Sequence, residues 1–464
     1  MYGRTHRIHF IGIGGSGMSG LAEVLLNLGY SVSGSDLKTT EVTDRLVALG
    51  GRVFPGHAAA NVEGAQVVVF SSAVRPDNPE LLAARAANVP VIARADMLAE
   101  LMRMKYGIAV GGSHGKTTTT SMVAAVLGRG GMDPTIVVGG RLRAVGANAQ
   151  LGHGRFMVAE ADESDGSFLR LAPAITVVTN IDREHLDHYA DLAEVRQAFV
   201  YFANRVPFYG VSVLCSDDEN VRGILPEVKK RTILYGVREP AEVRATSIAL
   251  SGHGARFEVG AAGRALGAIE LRVPGHHNVL NALAAVAVGL ELEIGFGHIA
   301  EALAGFLGVG RRFETRGVAG DVRVIDDYGH HPTEIAATLA AARQLGGRVL
   351  VIFQPHRYSR TAALREEFGR CFGDADRVWV LDVYGAGESP IEGVGGCTVA
   401  DSARAQGAAH VEYAPTGAEA AQAAAREARS GDTVITLGAG DVWRLADEVL
   451  ARLASAAPAP TGRP

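Results

Sequence analysis

Strand-like runs alternate with helical patterns along the whole 464-residue chain, and that alternation predicts an α/β fold. Two further observations organise it. At roughly 150 residues per domain the length allows about three domains. Two separate glycine turns each follow an apolar run and open a helical pattern. The expected domains are 1–105, 106–310 and 311–464. Hydrophobic residues make up 47% and charged residues 20%, which argues against long disorder. Lys+Arg 45 against Asp+Glu 50 leaves a net charge of −5. No overall attraction to nucleic acid or anionic lipid follows, so an anionic ligand must meet local positive charge. Cys215, Cys371 and Cys397 are widely spaced and form no CxxC pair, which fits a reducing cytoplasm. No apolar run reaches the roughly 18 residues of a membrane span, and Ile8–Ile13 is too short for a signal-peptide core. The expected location is cytoplasmic, with no nucleic acid partner and no membrane insertion. Gly is 58 of 464 residues, an excess that suits several loops wrapped around phosphates.

The first unit is a strand at Arg7–Ile13, a glycine turn and a helix. Met18, Leu21, Ala22, Leu25 and Leu26 share one face of that helix. Val67–Phe70 is a further buried strand. The second turn follows Ile108–Val110. Phe156–Ala159 and Ile175–Val178 extend the second sheet, and Val211–Leu214 comes next. The third region starts near Arg311. Val322–Ile325, Arg348–Phe353, Arg377–Asp382 and Thr433–Leu437 are its strands, with alanine-rich helices such as Glu419–Arg429 between them. The Ala/Pro/Gly-rich end, about 456–464, is expected to be a disordered tail.

The first turn, Gly12-Ile13-Gly14-Gly15-Ser16-Gly17-Met18, matches the G-x-G-x-x-G spacing of a Rossmann-like unit. Its glycines let the backbone approach a pyrophosphate, which then sits on a helix N-terminus. Asp36 ends the second strand, where a ribose-binding acid is expected. Ser71, Ser72 and Ala73 follow Val67–Phe70 and share that carboxyl edge. Alone, this turn favours a nucleotide or NAD, and a tight turn without ligand is the plainer reading.

The second turn, Gly112-Ser113-His114-Gly115-Lys116-Thr117-Thr118, is a phosphate loop of P-loop ATPase type, although its first glycine stands only three residues before Gly115. Backbone N–H groups would cradle the phosphates, Lys116 would meet the β/γ oxygens and the Thr117 hydroxyl would bind Mg²⁺. Lys116 is one of only five lysines among 45 basic residues. Glu160, Asp162, Glu163 and Asp165 cluster after Phe156–Ala159, and Glu160 is the best-placed metal ligand. His185 and His188 follow Ile175–Val178. Their HLDH spacing is not that of a zinc site.

Three further stretches can supply positive charge or histidines. Arg311-Arg312-Phe313-Glu314 lies at the second boundary. Asp326-Asp327-Tyr328-Gly329-His330-His331-Pro332 and Gln354-Pro355-His356-Arg357-Tyr358-Ser359-Arg360-Thr361 each follow a strand. Gly275–Asn281 opens an apolar helix, and Asn278 reads either as a cap or as a reader of an adenine edge.

In order along the chain, GIGGSGMSGLA, GSHGKTTTT, AEADESDGSFL, NIDREHLDHY, GHHNVLNALAAVAVG, GRRFETRG, DDYGHHPTE, FQPHRYSRT and DVYGAGESPI resemble the Mur ligases. The resemblance implies an N-terminal Rossmann-like domain for the UDP of a sugar nucleotide, a central domain for Mg²⁺-ATP and a C-terminal Rossmann-like α/β domain on the amino-acid side. The implied reaction joins L-alanine to the carboxylate of UDP-N-acetylmuramate through an acyl phosphate, with ATP as co-substrate. By the same resemblance Gly112–Thr118 and Asn278 hold ATP, and Thr117, Glu160 and His185 hold the metal. Lys116, Arg312 and Asp327 meet phosphate, and Gly12, Gly14, Gly15, Ser16, Gly17, Met18, Asp36, Ser71, Ser72 and Ala73 lie on the UDP side. His356 and Arg357 join the substrate side, and His330 or His331 is the candidate base for the amine. Ser113 stands where threonine is usual. Some Mur ligases use a carbamylated lysine, but no lysine lies between 117 and 228. The rival readings are a recycling ligase that adds a murein tripeptide to the same nucleotide, a NAD-dependent oxidoreductase, and a non-catalytic nucleotide-binding regulator. The second leaves the phosphate loop unexplained. A monomer or a homodimer is expected.

Overall fold

The computed structural model describes residues 6–71, 73–142, 147–185, 188–238 and 241–456. Ser72 and the expected tail beyond 456 lie outside them, as does the side chain of Ser16. Three sheets follow one another along the chain. The first is five parallel strands in the order Arg52–Pro55, Ser31–Asp36, Arg7–Ile11, Val67–Phe70, Val91–Ala93. Its strand order reverses beside Arg7–Ile11, which opens a crevice at the carboxyl ends of Arg7–Ile11 and Val67–Phe70. Gly12–Gly17 and Ser71 sit there. The first strand stops at Ile11, two residues earlier than its apolar run, because Gly12 turns at φ 78°. Helix Ser16–Asn27 then buries Met18, Leu21, Ala22 and Leu25 against the sheet.

The second sheet has ten strands. Its centre is parallel: Val211–Cys215, Ile175–Val178, Tyr106–Gly111, Phe156–Glu160 and Thr135–Leu142 in that order. Each central strand is apolar nearly throughout, as a strand covered on both faces must be. The edges depart from the parallel expectation. Val243–Ser251, Gly254–Ala261 and Arg264–Leu271 form antiparallel ribbons on one side, and Ala147–Gln150 pairs antiparallel on the other. Residues 255–259 alternate buried and exposed positions, with one face to water, and this weaker pattern escapes a search for apolar runs. Helices Lys116–Arg129 and His276–Glu291 pack together through Met122, Val126, Leu283 and Val286.

The third sheet runs Glu314–Ala319, Val322–Asp327, Thr433–Leu437, Val349–Phe353, Arg377–Val380, Val411–Tyr413, with only the first pair antiparallel. Val322–Asp327 runs two residues past its apolar stretch, so Asp326 and Asp327 end a strand inside the protein. Among the described residues no helix is long and apolar enough to cross a membrane.

Candidate active site

Tyr106–Gly111 lies between Phe156–Glu160 and Ile175–Val178, with Val110 opposite Glu160 and Gly111 opposite Val178. The phosphate loop therefore leaves the sheet flanked by the acidic stretch on one side and the histidine stretch on the other. Gly112 and Gly115 take φ 133° and 80°. A Cβ would stand 2.0 Å from Thr179 Oγ1 at the first and 2.7 Å from Asn281 Oδ1 at the second, so only glycine fits either place. Lys116 Nζ donates to Gly112 O (2.8 Å), Ser113 O (3.1 Å) and Glu163 Oε1 (2.8 Å). Burial works against its charge, but Glu163, Asp162 and Glu160 hold its pKa well above the usual lysine range. Thr117 Oγ1 lies 3.0 and 3.1 Å from the Glu160 carboxylate oxygens. His185 Nε2 lies 3.1 Å from Glu163 Oε1, and Glu163 Oε2 is buried with no hydrogen-bond partner.

The loop is braced from behind. Asn180 Oδ1 accepts from His114 N (2.8 Å), while Thr179 Oγ1 (2.6 Å) and Asn180 Nδ2 (3.1 Å) donate to His114 O. A cavity of about 340 Å³ opens beside it, lined by Gly115, Thr118, Asn278, Asn281, Arg312 and Asp327. Asn278 lines that cavity and is also tied at its helix start. Its Nδ2 donates to Pro274 O (2.7 Å), and its Oδ1 accepts from Asn281 Nδ2 (3.1 Å). Arg312 lies over the Tyr328 ring and reaches Glu334 at 3.5 Å. Asp327 accepts from Phe313 N and Gly329 N, each at 2.7 Å, so it fixes the backbone just after Arg312 and just before His330. Burial, against the pull of Arg312, pushes its carboxyl up to about 6.

Helix Pro332–Arg343 aims its N-terminus at the segment Asp182–Glu184 of the second domain. His331 Nδ1 accepts from Thr333 N (3.3 Å), so its Nε2 is the donor to Arg183 O (3.4 Å). His330 Nδ1 donates to Tyr328 O (3.1 Å), which leaves the lone pair on Nε2. Burial lowers the pKa of His330 to about 4 and that of His356 to about 3, with neighbouring cations adding to the effect, so both imidazoles are neutral at pH 7. His114 differs. Burial opposes its charge, yet Asp182 at 2.9 Å from Nε2 and Glu334 at 3.5 Å from Nδ1 push it up to about 10. The donor atoms of His114, Asp182 and His331 lie within 4.8 Å of one another, close enough for a metal. With Asp182 at its Nε2 and Glu334 at its Nδ1, His114 links the second and third domains as an ion-pair hub. Arg360 closes the same seam with two hydrogen bonds to Glu184 Oε1 (2.7 and 3.0 Å). Beside it, Arg183, His185, Arg357 and Arg360 line a cavity of about 130 Å³. His356 stacks on Tyr384 with ring centroids 5.6 Å apart.

The first glycine turn stands apart from this centre. Gly14 N donates to Asp36 Oδ2 (2.9 Å), so one oxygen of the expected ribose acid is spent on holding the turn. Arg94 passes beside Gly17, where a Cβ would lie 3.0 Å from its Nη1, and reaches Asp162 of the second domain at 3.6 Å. The structure thus brings Lys116, Thr117, Glu160 and His185 into one cluster. It sets Asn278, Arg312 and Asp327 around the larger cavity and His330, His331, His356 and Arg357 along the seam. The sequence offers Glu163 only as one of four clustered acids and Arg360 only as part of a basic stretch, and it points to no role for Arg94, Asp182, Glu184 or Glu334. Glu163 stands three residues after Glu160, whereas Arg360 and the others find partners far away in the chain.

Three α/β domains, with a lysine-bearing phosphate loop on the second and a glycine turn on the first, define a nucleotide-dependent enzyme. The chain belongs to the Mur ligase family. Residues 7–106 match the model of the Mur ligase catalytic domain, 110–289 the Mur ligase middle domain and 311–440 the glutamate ligase domain of Mur ligases. A UDP-N-acetylmuramate–L-alanine ligase of Geobacter sp. (strain M21) is 57% identical over 98% of this chain and 99% of its own. The ligase of the same name from Desulfosudis oleivorans is 56% identical over 97% of this chain and 99% of its own. Among solved structures, the UDP-N-acetylmuramate–alanine ligase of Thermotoga maritima is similar with a TM-score of 0.81 and 31% identity, over 97% of this chain and all of that one. The chain is an ATP-dependent ligase.

Proposed function

We propose that this chain joins L-alanine to the carboxylate of UDP-N-acetylmuramate, with ATP converted to ADP and phosphate, in the cytoplasm. One observation carries the reading. The Lys116–Glu163–His185 cluster and the seam histidines occur in a chain 57% identical, nearly end to end, to a UDP-N-acetylmuramate–L-alanine ligase. A carboxylate is a poor electrophile, so it must first be activated. The muramate carboxylate attacks the γ-phosphorus, the bond to the β-γ bridging oxygen breaks, and ADP leaves an acyl phosphate. Lys116 and Arg312 offset the charge on the transferring group. Thr117, Glu160 and His185 would hold Mg²⁺. The orphaned oxygen of Glu163 beside them supports this, since a buried carboxylate oxygen without a donor calls for a cation. When bound, Mg²⁺ neutralises phosphate charge.

The amine of alanine then attacks the acyl carbon, and phosphate leaves. His330 is the favoured base. Its Nε2 lone pair is uncommitted and its ring is neutral at pH 7, whereas the Nδ1 of His331 is engaged by Thr333 N. The ties from His114, Asp182 and Glu184 to the third domain exclude water from the acyl phosphate. The test offers the enzyme ATP, Mg²⁺ and UDP-N-acetylmuramate with labelled alanine and unlabelled murein tripeptide in competition. Alanine is expected in the product. Preferential incorporation of tripeptide would overturn the assignment in favour of the recycling ligase.

A further inference from the structure

Glu80, in the first turn of helix Pro79–Ala86, has a side chain with 0% exposure. A carboxylate that far from water is costly unless it is fully met. Here Ser35 Oγ donates to it at 2.5 Å and Asn61 Nδ2 at 2.6 Å, with His57 Nδ1 at 3.3 Å and Ala58 N at 3.4 Å. His9 Nε2, also wholly buried and otherwise without a partner, lies 3.7 Å away. Although burial opposes the charge, His9, Ser35 and Asn61 together hold the carboxyl down to about 2.

The groups that meet Glu80 also hold the first glycine turn. Ser35 O accepts from both Gly12 N (2.8 Å) and Ile13 N (3.0 Å). The next residue, Asp36, takes the N–H of Gly14 with its side chain (2.9 Å) and that of Gly56 with its carbonyl (2.7 Å). Asn61 Nδ2 reaches Gly56 O at 3.3 Å as well as Glu80. One buried anion therefore ties the ends of Ser31–Asp36 and Arg52–Pro55 to the start of helix Pro79–Ala86. Those three points frame the crevice at the carboxyl edge of the first sheet.

We propose that Glu80 is a positioning residue for the sugar nucleotide, acting through Ser35 on the backbone of Gly12 and Ile13. The proposal rests on the reading that this turn receives the UDP group. A phosphate cradle made of backbone N–H groups depends on their placement to a few tenths of an ångström. Without the buried anion, Ser35 Oγ keeps only His57 Nδ1 at 2.9 Å and the turn loses its fixed floor. The phosphate loop of the second domain is untouched by this network.

Steady-state kinetics of the full chain test it, with Glu80→Gln, Ser35→Ala, the double variant and Asp36→Asn. Glu80→Gln is expected to raise KM for UDP-N-acetylmuramate about tenfold, the worth of roughly one charge-assisted hydrogen bond. Its kcat and its KM for ATP should stay within about twofold of wild type. Ser35→Ala should act in the same direction, and the double variant should be no worse than the stronger single one, because both break one link. A folded Glu80→Gln enzyme with unchanged KM for the sugar nucleotide, or with KM for ATP raised equally, would overturn the proposal. If Glu80→Gln fails to fold, an unchanged KM in Ser35→Ala overturns it. An unchanged KM in Asp36→Asn would instead sink the reading of the turn itself, and the proposal with it.

Discussion

Lys116 donates to two carbonyls of its own loop and to Glu163, so its ammonium is fixed before any phosphate arrives. Replacing it by alanine removes the charge and leaves Glu163 facing His185 alone. Turnover by Lys116→Ala is expected to fall by about a thousandfold or more, as for loss of a group that meets the transferring phosphoryl. UDP-N-acetylmuramate binding, followed by calorimetry, should stay within about twofold, since the site proposed for that substrate lies on the first domain. Loss of both would mean a folding defect. At His330 the expectation concerns the second half-reaction. His330→Gln should slow amide formation by about a hundredfold and leave acyl-phosphate formation, read as ADP in a single turnover, nearly unchanged. An equal loss in His331→Gln alone would reverse the assignment of the base.

At the scale of elements, much was legible and the reason is locality. The glycine turns, the Lys116 loop and the apolar face of helix Ser16–Asn27 are patterns within a few residues of sequence, and each stands where its spacing put it. Glu160 and His185 were also legible, because parallel strands that flank one loop deliver their carboxyl ends to it. What escaped was non-local. Arg360 and Glu184 are 176 residues apart, and no pattern within either stretch announces their pairing. The antiparallel strands from Val243 to Leu271 escaped because a half-exposed ribbon carries a weaker apolar signal than a buried strand. Asp36 was read as a ribose acid from its position, but its bond to Gly14 N appears only when the turn folds back on the second strand. The strictest element is the phosphate loop. Gly115→Ala places a Cβ against Asn281 at a positive φ, and should lower stability by about 1–3 kcal/mol by thermal unfolding while abolishing turnover. A variant with wild-type melting and turnover would contradict the loop geometry.

Across the whole molecule, charged side chains join the domains. Arg94 and Asp162 (3.6 Å) and Arg170 and Asp96 (2.8 Å) tie the first domain to the second. Arg360, Thr333 and His114 tie the second to the third through Glu184, Asp182 and Glu334. Arg360→Ala is expected to lower kcat more than it raises KM for ATP, because its loss opens the seam and leaves Glu184 buried without its main partner. The same seam sets the pH dependence of stability. His277 and His330 are held near 4 and His356 near 3, chiefly by burial, so the unfolded chain binds protons more readily on all three. Their contribution is present above pH 6.5 and is lost as pH falls toward 4. Asp327, pushed up to about 6, runs the other way over part of that window. His114, pushed up to about 10, contributes fully below pH 6.5 and loses that contribution as pH rises through 10. Melting temperature should therefore peak near neutrality, and His114→Gln should flatten the alkaline limb. An alkaline limb unchanged in that variant would contradict the ion-pair hub.

The most direct test of the central claim is stoichiometry in a single reaction. With ATP, Mg²⁺ and UDP-N-acetylmuramate present, labelled alanine should enter the sugar nucleotide with one phosphate released for each amide formed, and omission of either acceptor or amine should stop the labelled product. Phosphate release without alanine in the product, or no dependence on UDP-N-acetylmuramate, would contradict the account.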